Sequence, residues 1–343
     1  MSAPHAVVVG ATSWGCTLAI LLSRAGTRAT VLCRTAEEAE RLSAQREERR
    51  LLPGILLPDV LQFTADLRAA EAGEAIFFAV PAQSLRENAQ RVLGCLARPL
   101  PPLVSASKGL EVGTELRMSE VLTAVAAAGG QTAPVAVLSG PNIARELALG
   151  QPAATVVASG DAQVSAAIRR MLMTPMFRVY TNADVVGVEL GGALKNVIAL
   201  GVGIGDGLVV GDSGRAVFLT RGLAEIARLG VALGGAVMTF MGLAGMGDLI
   251  ATGASRRSRN RHVGEQLAKG RGLAEILAEM VHVAEGVETT RAARALARRV
   301  GVEMPIVEAT YRVLFEDQRP EKAIRGLMTR AAKDEFVSDP ELS

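Results

Sequence analysis

The stretch Ala6-Val7-Val8-Val9-Gly10-Ala11-Thr12-Ser13-Trp14-Gly15 decides the fold. A short apolar run rich in β-branched residues ends at a glycine, the pattern of a buried strand entering a tight turn. A helical pattern follows, with Leu18, Leu21 and Leu22 on one side and Gly26 as its stop. A second apolar run, Ala29–Leu32, comes next. Strand, glycine turn, helix and strand within about thirty residues make a βαβ unit.

Working outward, further short strands are expected at Ala75–Val80, Leu103–Ala106, Val135–Leu138, Ala153–Ser159 and Arg178–Tyr180, mostly separated by helical stretches. That rhythm predicts a Rossmann-like, doubly wound, mainly parallel sheet with helices on both faces. From about Asp184 the strand pattern stops. Helices are expected over Val185–Gly203, Gly214–Leu233, Asn260–Gly270, Leu273–Met280 and Glu285–Val300, with a last pair after Pro305 and Pro320. The fold class is therefore α/β with an all-helical C-terminal domain, divided as 1–184 and 185–343. The charge-dense stretch Arg34–Arg50 holds five Arg and five Glu, which reads as a solvated helix.

Composition agrees with two domains. The chain has 343 residues, and its 49% apolar content can bury a large core, which excludes a disordered chain. A formal net charge of +2 gives no footing for binding nucleic acid or another polyanion. Three cysteines, Cys16, Cys33 and Cys95, make neither a disulfide framework nor a zinc cluster, so no metal site is expected. The N-terminus lacks a basic leader, and no uninterrupted apolar stretch reaches the roughly 18–20 residues of a membrane helix. A cytoplasmic protein without membrane insertion is the expectation.

The first turn carries the cofactor signal. In a dinucleotide fold the first glycine allows the turn, the second admits the pyrophosphate, and the phosphates sit on free N–H groups at the helix start. Gly10 and Gly15 occupy the first and last of these positions, and Thr12 stands at the second. An ordinary glycine turn would read the same over six residues, but this one opens a complete βαβ unit. At the end of the second strand an acid would grip a ribose 2′-OH. Here Cys33-Arg34-Thr35 offers no acid before Glu37, and Arg34 can pair with a 2′-phosphate, favouring NADP over NAD. Glu37 and Glu38 remain within reach of the ribose on the other reading.

Four segments carry the chemistry. Lys108, in Ser105-Ala106-Ser107-Lys108-Gly109, follows a strand at the edge where ligands bind such sheets; a solvated loop lysine is the bland alternative. Ser139-Gly140-Pro141-Asn142-Ile143-Ala144 joins a strand to a helix, with Pro141 suited to the first helical position. Lys195 and Asn196 lie in Glu189-Leu190-Gly191-Gly192-Ala193-Leu194-Lys195-Asn196, and from Leu190 to Gly205 the other residues are apolar or glycine. Burial on such a helix lowers a lysine pKa toward the range of proton transfer, and the glycine pair lets a ligand or backbone come close. A lysine snorkelling from a helix edge is the competing reading. Finally, Gly242-Leu243-Ala244-Gly245-Met246-Gly247-Asp248 precedes Arg256-Arg257-Ser258-Arg259-Asn260-Arg261, where four Arg within six positions suit a phosphate clamp or a solvated basic turn.

These segments, together with Ala79-Val80-Pro81, Thr220-Arg221-Gly222-Leu223-Ala224-Glu225 and Glu285-Gly286-Val287, resemble in order the bacterial-type NAD(P)-dependent glycerol-3-phosphate dehydrogenases over residues 6–315. The resemblance implies that Lys195 is the general acid/base, that Lys108 touches substrate and nicotinamide, and that Asp248 and Asn196 order the lysines. It implies a substrate site of Lys108, Gly140, Asn142, Lys195, Asp248, Ser258, Arg259 and Asn260. The cofactor positions it implies are Ser13, Trp14, Arg34, Lys108, Ala144, Arg259, Val283 and Glu285. The activity implied is interconversion of dihydroxyacetone phosphate and sn-glycerol 3-phosphate, supplying phospholipid synthesis. NADP or NAD would be the cofactor, a small phosphorylated compound the substrate, and a homodimer one assembly open to the chain.

Three segments depart from the family pattern. Thr12 replaces glycine and is expected to hold the pyrophosphate farther off. Asn142 stands where Ser or Thr is usual, and Asp212-Ser213-Gly214-Arg215 replaces Asp-Asn-Ala-Arg, so Gly214 should loosen its helix start. A specialised paralogue with a related hydroxy or keto substrate, or a dinucleotide-binding protein without catalysis, is the alternative these departures raise.

Overall fold

The computed structural model describes residues 3–97, 99–255, 258–332 and 334–335. Arg256 and Arg257 of the basic run lie outside the described residues. Eight strands form one sheet: β1 His5–Val9, β2 Arg28–Leu32, β3 Gln62–Thr64, β4 Ala75–Phe78, β5 Leu103–Ser105, β6 Val135–Ser139, β7 Ala153–Ala158 and β8 Phe177–Asn182. Their spatial order is β3-β2-β1-β4-β5-β6-β7-β8, parallel throughout except between β6 and β7. The order reverses direction beside β1, and the glycine turn lies at that switch point.

Helices α1 Ser13–Arg24, α2 Ala36–Gln45, α3 Leu85–Leu93, α4 Met118–Ala128, α5 Ala144–Ala148 and α6 Ala162–Leu172 accompany the sheet. Covering both faces buries every residue of β1. Val8 packs with Leu18 and Leu22 on one side, while Val7 and Val9 pack with Leu85 and Val121 on the other. The helical domain follows as α7 Val185–Gly207, α8 Gly211–Ala232, α9 Val237–Phe240, α10 Asp248–Ala254, α11 Arg259–Ala268, α12 Leu273–Glu279, α13 Glu285–Arg299, α14 Pro305–Phe315 and α15 Pro320–Met328. Its centre is α7, which packs against α8, α10, α11 and α13. Two stretches, Val185–Gly207 and Val237–Ala254, have the length and composition of a membrane span. The first is the buried core helix and carries Glu189, Lys195 and Asp206; the second contains Asp248.

Four expectations change. Strand β3 has no counterpart in the sequence reading, because Gln62-Phe63-Thr64 is short and mostly polar. The charged stretch is helical only to Gln45: Arg46 turns into the left-handed region at φ 51°, and Glu47 pairs with Leu56 in an isolated bridge. Its Glu48 is buried on Arg41 rather than solvated. Pro141 is not a first helical residue, since α5 begins at Ala144 after the extended Ile143. Gly214 does not mark the start of α8, which begins at Gly211, although no residue from Gly211 to Arg221 is buried.

Candidate active site

Lys195 lies in the third turn of α7 and is 8% exposed. Its Nζ donates to Asp248 Oδ1 at 2.8 Å and to Thr252 Oγ1 at 2.6 Å. Lys108, from the segment after β5, donates to Asp248 Oδ2 at 2.5 Å and to the Gly140 carbonyl at 2.9 Å. One buried carboxylate thus takes an ammonium on each oxygen. Burial pulls the Lys195 pKa down to about 8, with Lys108 adding to the fall and Asp248 opposing it. Burial alone would raise the Asp248 carboxyl, but the two lysines outweigh it and hold it below its ordinary value.

Local sequence explains the approach. A five-residue π-helical turn, Leu243–Gly247, delivers Asp248 at the start of α10. A side chain at Gly192 would place its Cβ 2.2 Å from Ser139 Oγ, and one at Gly191 would come 2.8 Å from the Ala244 carbonyl. The glycine pair therefore seats α7 on the end of β6 and on the π turn. Thr252 escaped the sequence reading, although its position four residues after Asp248 puts both on one helix face.

The substrate candidates gather around this cluster with altered partners. Asn142 is engaged by the sheet: its Nδ2 donates to the Ala154 carbonyl at 3.1 Å, its Oδ1 accepts from Thr155 Oγ1 at 2.9 Å, and its N–H donates to the Gly140 carbonyl at 2.7 Å. Asn196 does not touch either lysine through a hydrogen bond; its Oδ1 accepts from Asn260 Nδ2 at 2.9 Å, and Asn260 Oδ1 accepts from the Gly286 N–H at 2.9 Å. Ser258 caps α11 by accepting from the Arg261 N–H. Arg261 and Arg215 both close on the Asp206 carboxylate at 2.6 Å, which anchors the start of α11 beside the end of α7. Arg259 keeps part of its surface exposed, while burial around its guanidinium lowers its pKa against the pull of Glu285.

The cofactor candidates come from several segments: the turn after β1, the ends of β2 and β5, the start of α5 and the entry to α13. Gly10 has φ +103°, and a Cβ there would strike Val80 at 2.7 Å, so glycine is required. Thr12 has an ordinary extended backbone, φ −74° and ψ 169°. Its hydroxyl caps α1 by accepting from the Gly15 N–H at 3.0 Å and donates to the Ala79 carbonyl at 2.7 Å. The side chain expected to hold the pyrophosphate off is thus folded into the turn. The first-turn N–H groups of Ser13 and Trp14 lack intrahelical acceptors, as at any helix start. Arg34 is exposed, and the Glu38 carboxylate accepts from its backbone N–H at 2.9 Å. Ala144 opens α5 and accepts from Thr17 Oγ1; Val283 is exposed. From the start of α13, Glu285 accepts from the Ala82 N–H at 3.2 Å, and burial pushes its carboxyl up to about 7 against the pull of that bond and of Arg259. A strained glycine turn, free helix-start donors and an exposed arginine fit an anionic dinucleotide.

Comparison with known proteins gives a consistent picture. Residues 5–165 match the family model described as NAD-dependent glycerol-3-phosphate dehydrogenase N-terminus, and residues 184–325 match the model for its C-terminus. A Geobacter sulfurreducens protein named glycerol-3-phosphate dehydrogenase (NAD(P)+) is 49% identical over 96% of this chain and 98% of its own. A Desulfitobacterium hafniense protein of the same name is 45% identical over 96% of this chain and 92% of its own. The crystal structure of a Coxiella burnetii glycerol-3-phosphate dehydrogenase superimposes with a TM-score of 0.90 at 34% identity, covering 96% of this chain and all of that one.

Proposed function

The chain belongs to the NAD-dependent glycerol-3-phosphate dehydrogenase family, and from that premise we propose that it interconverts dihydroxyacetone phosphate and sn-glycerol 3-phosphate with Lys195 as acid/base. It is an oxidoreductase acting on a CH–OH group with NAD or NADP. The observation that carries the assignment of the site is the pair of ammonium groups on one buried Asp248 carboxylate. We take residues 1–184 as the dinucleotide-binding domain and 185–343 as the catalytic domain.

When bound, the nicotinamide supplies or accepts the hydride at the substrate carbon. Lys195, charged at neutral pH, gives its proton to the substrate oxygen as negative charge develops there; in the oxidative direction the neutral amine removes the hydroxyl proton. Asp248 and Thr252 orient Lys195, and Lys108 places a second positive charge near the oxygen, where fixed charge is worth most. The start of α11, with Ser258, Arg259 and Asn260, holds the phosphate by its helix dipole and the Arg259 guanidinium. Gly140 and Asn142 close the other side of the substrate. Ser13 and Trp14 receive the pyrophosphate, Arg34 the 2′-phosphate of a preferred NADP, and Ala144, Val283 and Glu285 flank the cofactor.

The product suits phospholipid synthesis in the cytoplasm. A homodimer is supported by exposed Val217, Met238 and Ile250 on α8, α9 and α10, since α8 touches both of the others. Turnover of dihydroxyacetone phosphate with NADPH and with NADH, in the parent and in Lys195→Met, tests the reading. Activity favouring NADPH and a loss of at least about 10²–10⁴-fold in the variant are expected. A variant that turns over normally removes Lys195 from its role.

A further inference from the structure

Glu189 lies on α7 six residues before Lys195, about 9 Å along the helix axis. Its side chain leaves the helical domain for the sheet domain. Oε1 accepts from the Ser119 N–H at 2.8 Å, while Oε2 accepts from Arg117 Nη1 at 2.7 Å and from Ser119 Oγ at 2.5 Å. Ser119 belongs to the first turn of α4, so the carboxylate covers an N–H that the helix cannot pair itself, at the positive end of its dipole.

The contact reaches the active site by a short route. Arg117 faces Leu110 across an isolated antiparallel bridge, and the Glu111 N–H donates to the Leu116 carbonyl at 3.0 Å, closing the same loop. Leu110 stands two residues after Lys108. It is wholly buried in the apolar cluster that contains Leu190 and Leu194 of α7. An ionic contact and an apolar one therefore pin the Lys108 loop to the helix that carries Lys195.

A buried ion pair adds little stability over well-packed apolar residues, because desolvation offsets the attraction. Its value here is geometric. We propose that Glu189 is a positioning residue for the reaction: it docks the Lys108 loop on α7 so that Lys108 and Lys195 reach the same Asp248 carboxylate. The inference rests on the function proposed above for that site.

Glu189→Gln keeps the shape of the side chain and removes its charge. The expected result is a fall in kcat of about 10- to 100-fold, the scale of a small misplacement of reacting groups. Because Lys108 contributes to the low pKa of Lys195, its displacement should also move the alkaline limb of the reduction profile to higher pH. A role in stability alone would lower the melting temperature, leave kcat and the limb in place, and overturn the proposal. Should this variant fail to fold, Ser119→Ala removes one bond of the clamp and should give smaller effects of the same sign; an unchanged profile there also overturns it. Hydrogen exchange of residues 106–117 is read in the same proteins without substrate. Faster exchange confined to that loop supports the clamp, and unaltered exchange sinks it even in a protein that fails to reduce dihydroxyacetone phosphate, an outcome that would separately refute the proposed function.

Discussion

Thr252 stands one helical turn beyond Asp248, and both side chains bind the same Lys195 ammonium while their own oxygens lie 3.3 Å apart. An ammonium has three donors. Two are taken by residues that cannot leave, since Asp248 is buried and Thr252 is fixed to it through the helix. The third is uncommitted among the described residues, and it is the one available to a substrate oxygen.

The pH dependence follows from the value of about 8 for Lys195. In the role proposed for Lys195 reduction needs the ammonium, so kcat/KM for dihydroxyacetone phosphate should be level below about pH 8 and fall above it. Oxidation needs the free amine, so kcat/KM for glycerol 3-phosphate should rise to about pH 8 and then level. Profiles measured in both directions should share one pKa. A shared limb near the ordinary lysine value of about 10.4 would contradict the burial argument.

Thr12 separates two effects that glycine at this position would combine. Thr12→Gly frees the Gly15 N–H for a phosphate oxygen and opens the turn, so NADPH should bind more tightly. The lost cap should cost only a few tenths of a kcal/mol. Thr12→Val keeps the bulk and drops both hydrogen bonds, so it should cost about 1 kcal/mol in stability and, with the turn still filled, bind NADPH less tightly than the Gly variant. Fluorescence titration beside thermal unfolding distinguishes them, and equal affinities for the two variants would refute the account of the turn.

Glu225 bridges α8 to α14, accepting from the Ile306 N–H at 2.8 Å and the Val307 N–H at 3.3 Å. Burial pushes its carboxyl up to about 7 despite those donors. A raised carboxyl pKa stabilises the fold in acid, fully below the unfolded value of about 4.3, and that contribution is lost as pH rises through 7. Glu225→Gln should remove the loss, gaining on the parent between pH 5 and pH 8 by an amount on the order of 1–3 kcal/mol. Glu225→Ala leaves the start of α14 unpaired and should be destabilised by about 1–3 kcal/mol at both pH values. Parallel melting curves for parent and Gln variant would show that Glu225 does not titrate in this range.

The alternation of buried strands, the glycine turn and the later helical periodicity were legible in the chain because each is a local pattern repeated within one element. Lys195 was legible for the same reason, as a charge on an apolar helix. Its chemistry was decided elsewhere. Asp248 is 53 residues from Lys195 and 140 from Lys108, and nothing in the spacing says that one carboxylate serves both. Asn196 turned to Asn260, Asn142 to Thr155 and Glu189 to Ser119, each across a gap no period spans. Amino-acid pattern determines which face of an element avoids water; which distant side chain meets a polar group on that face depends on how whole elements pack, and only the tertiary structure settles it.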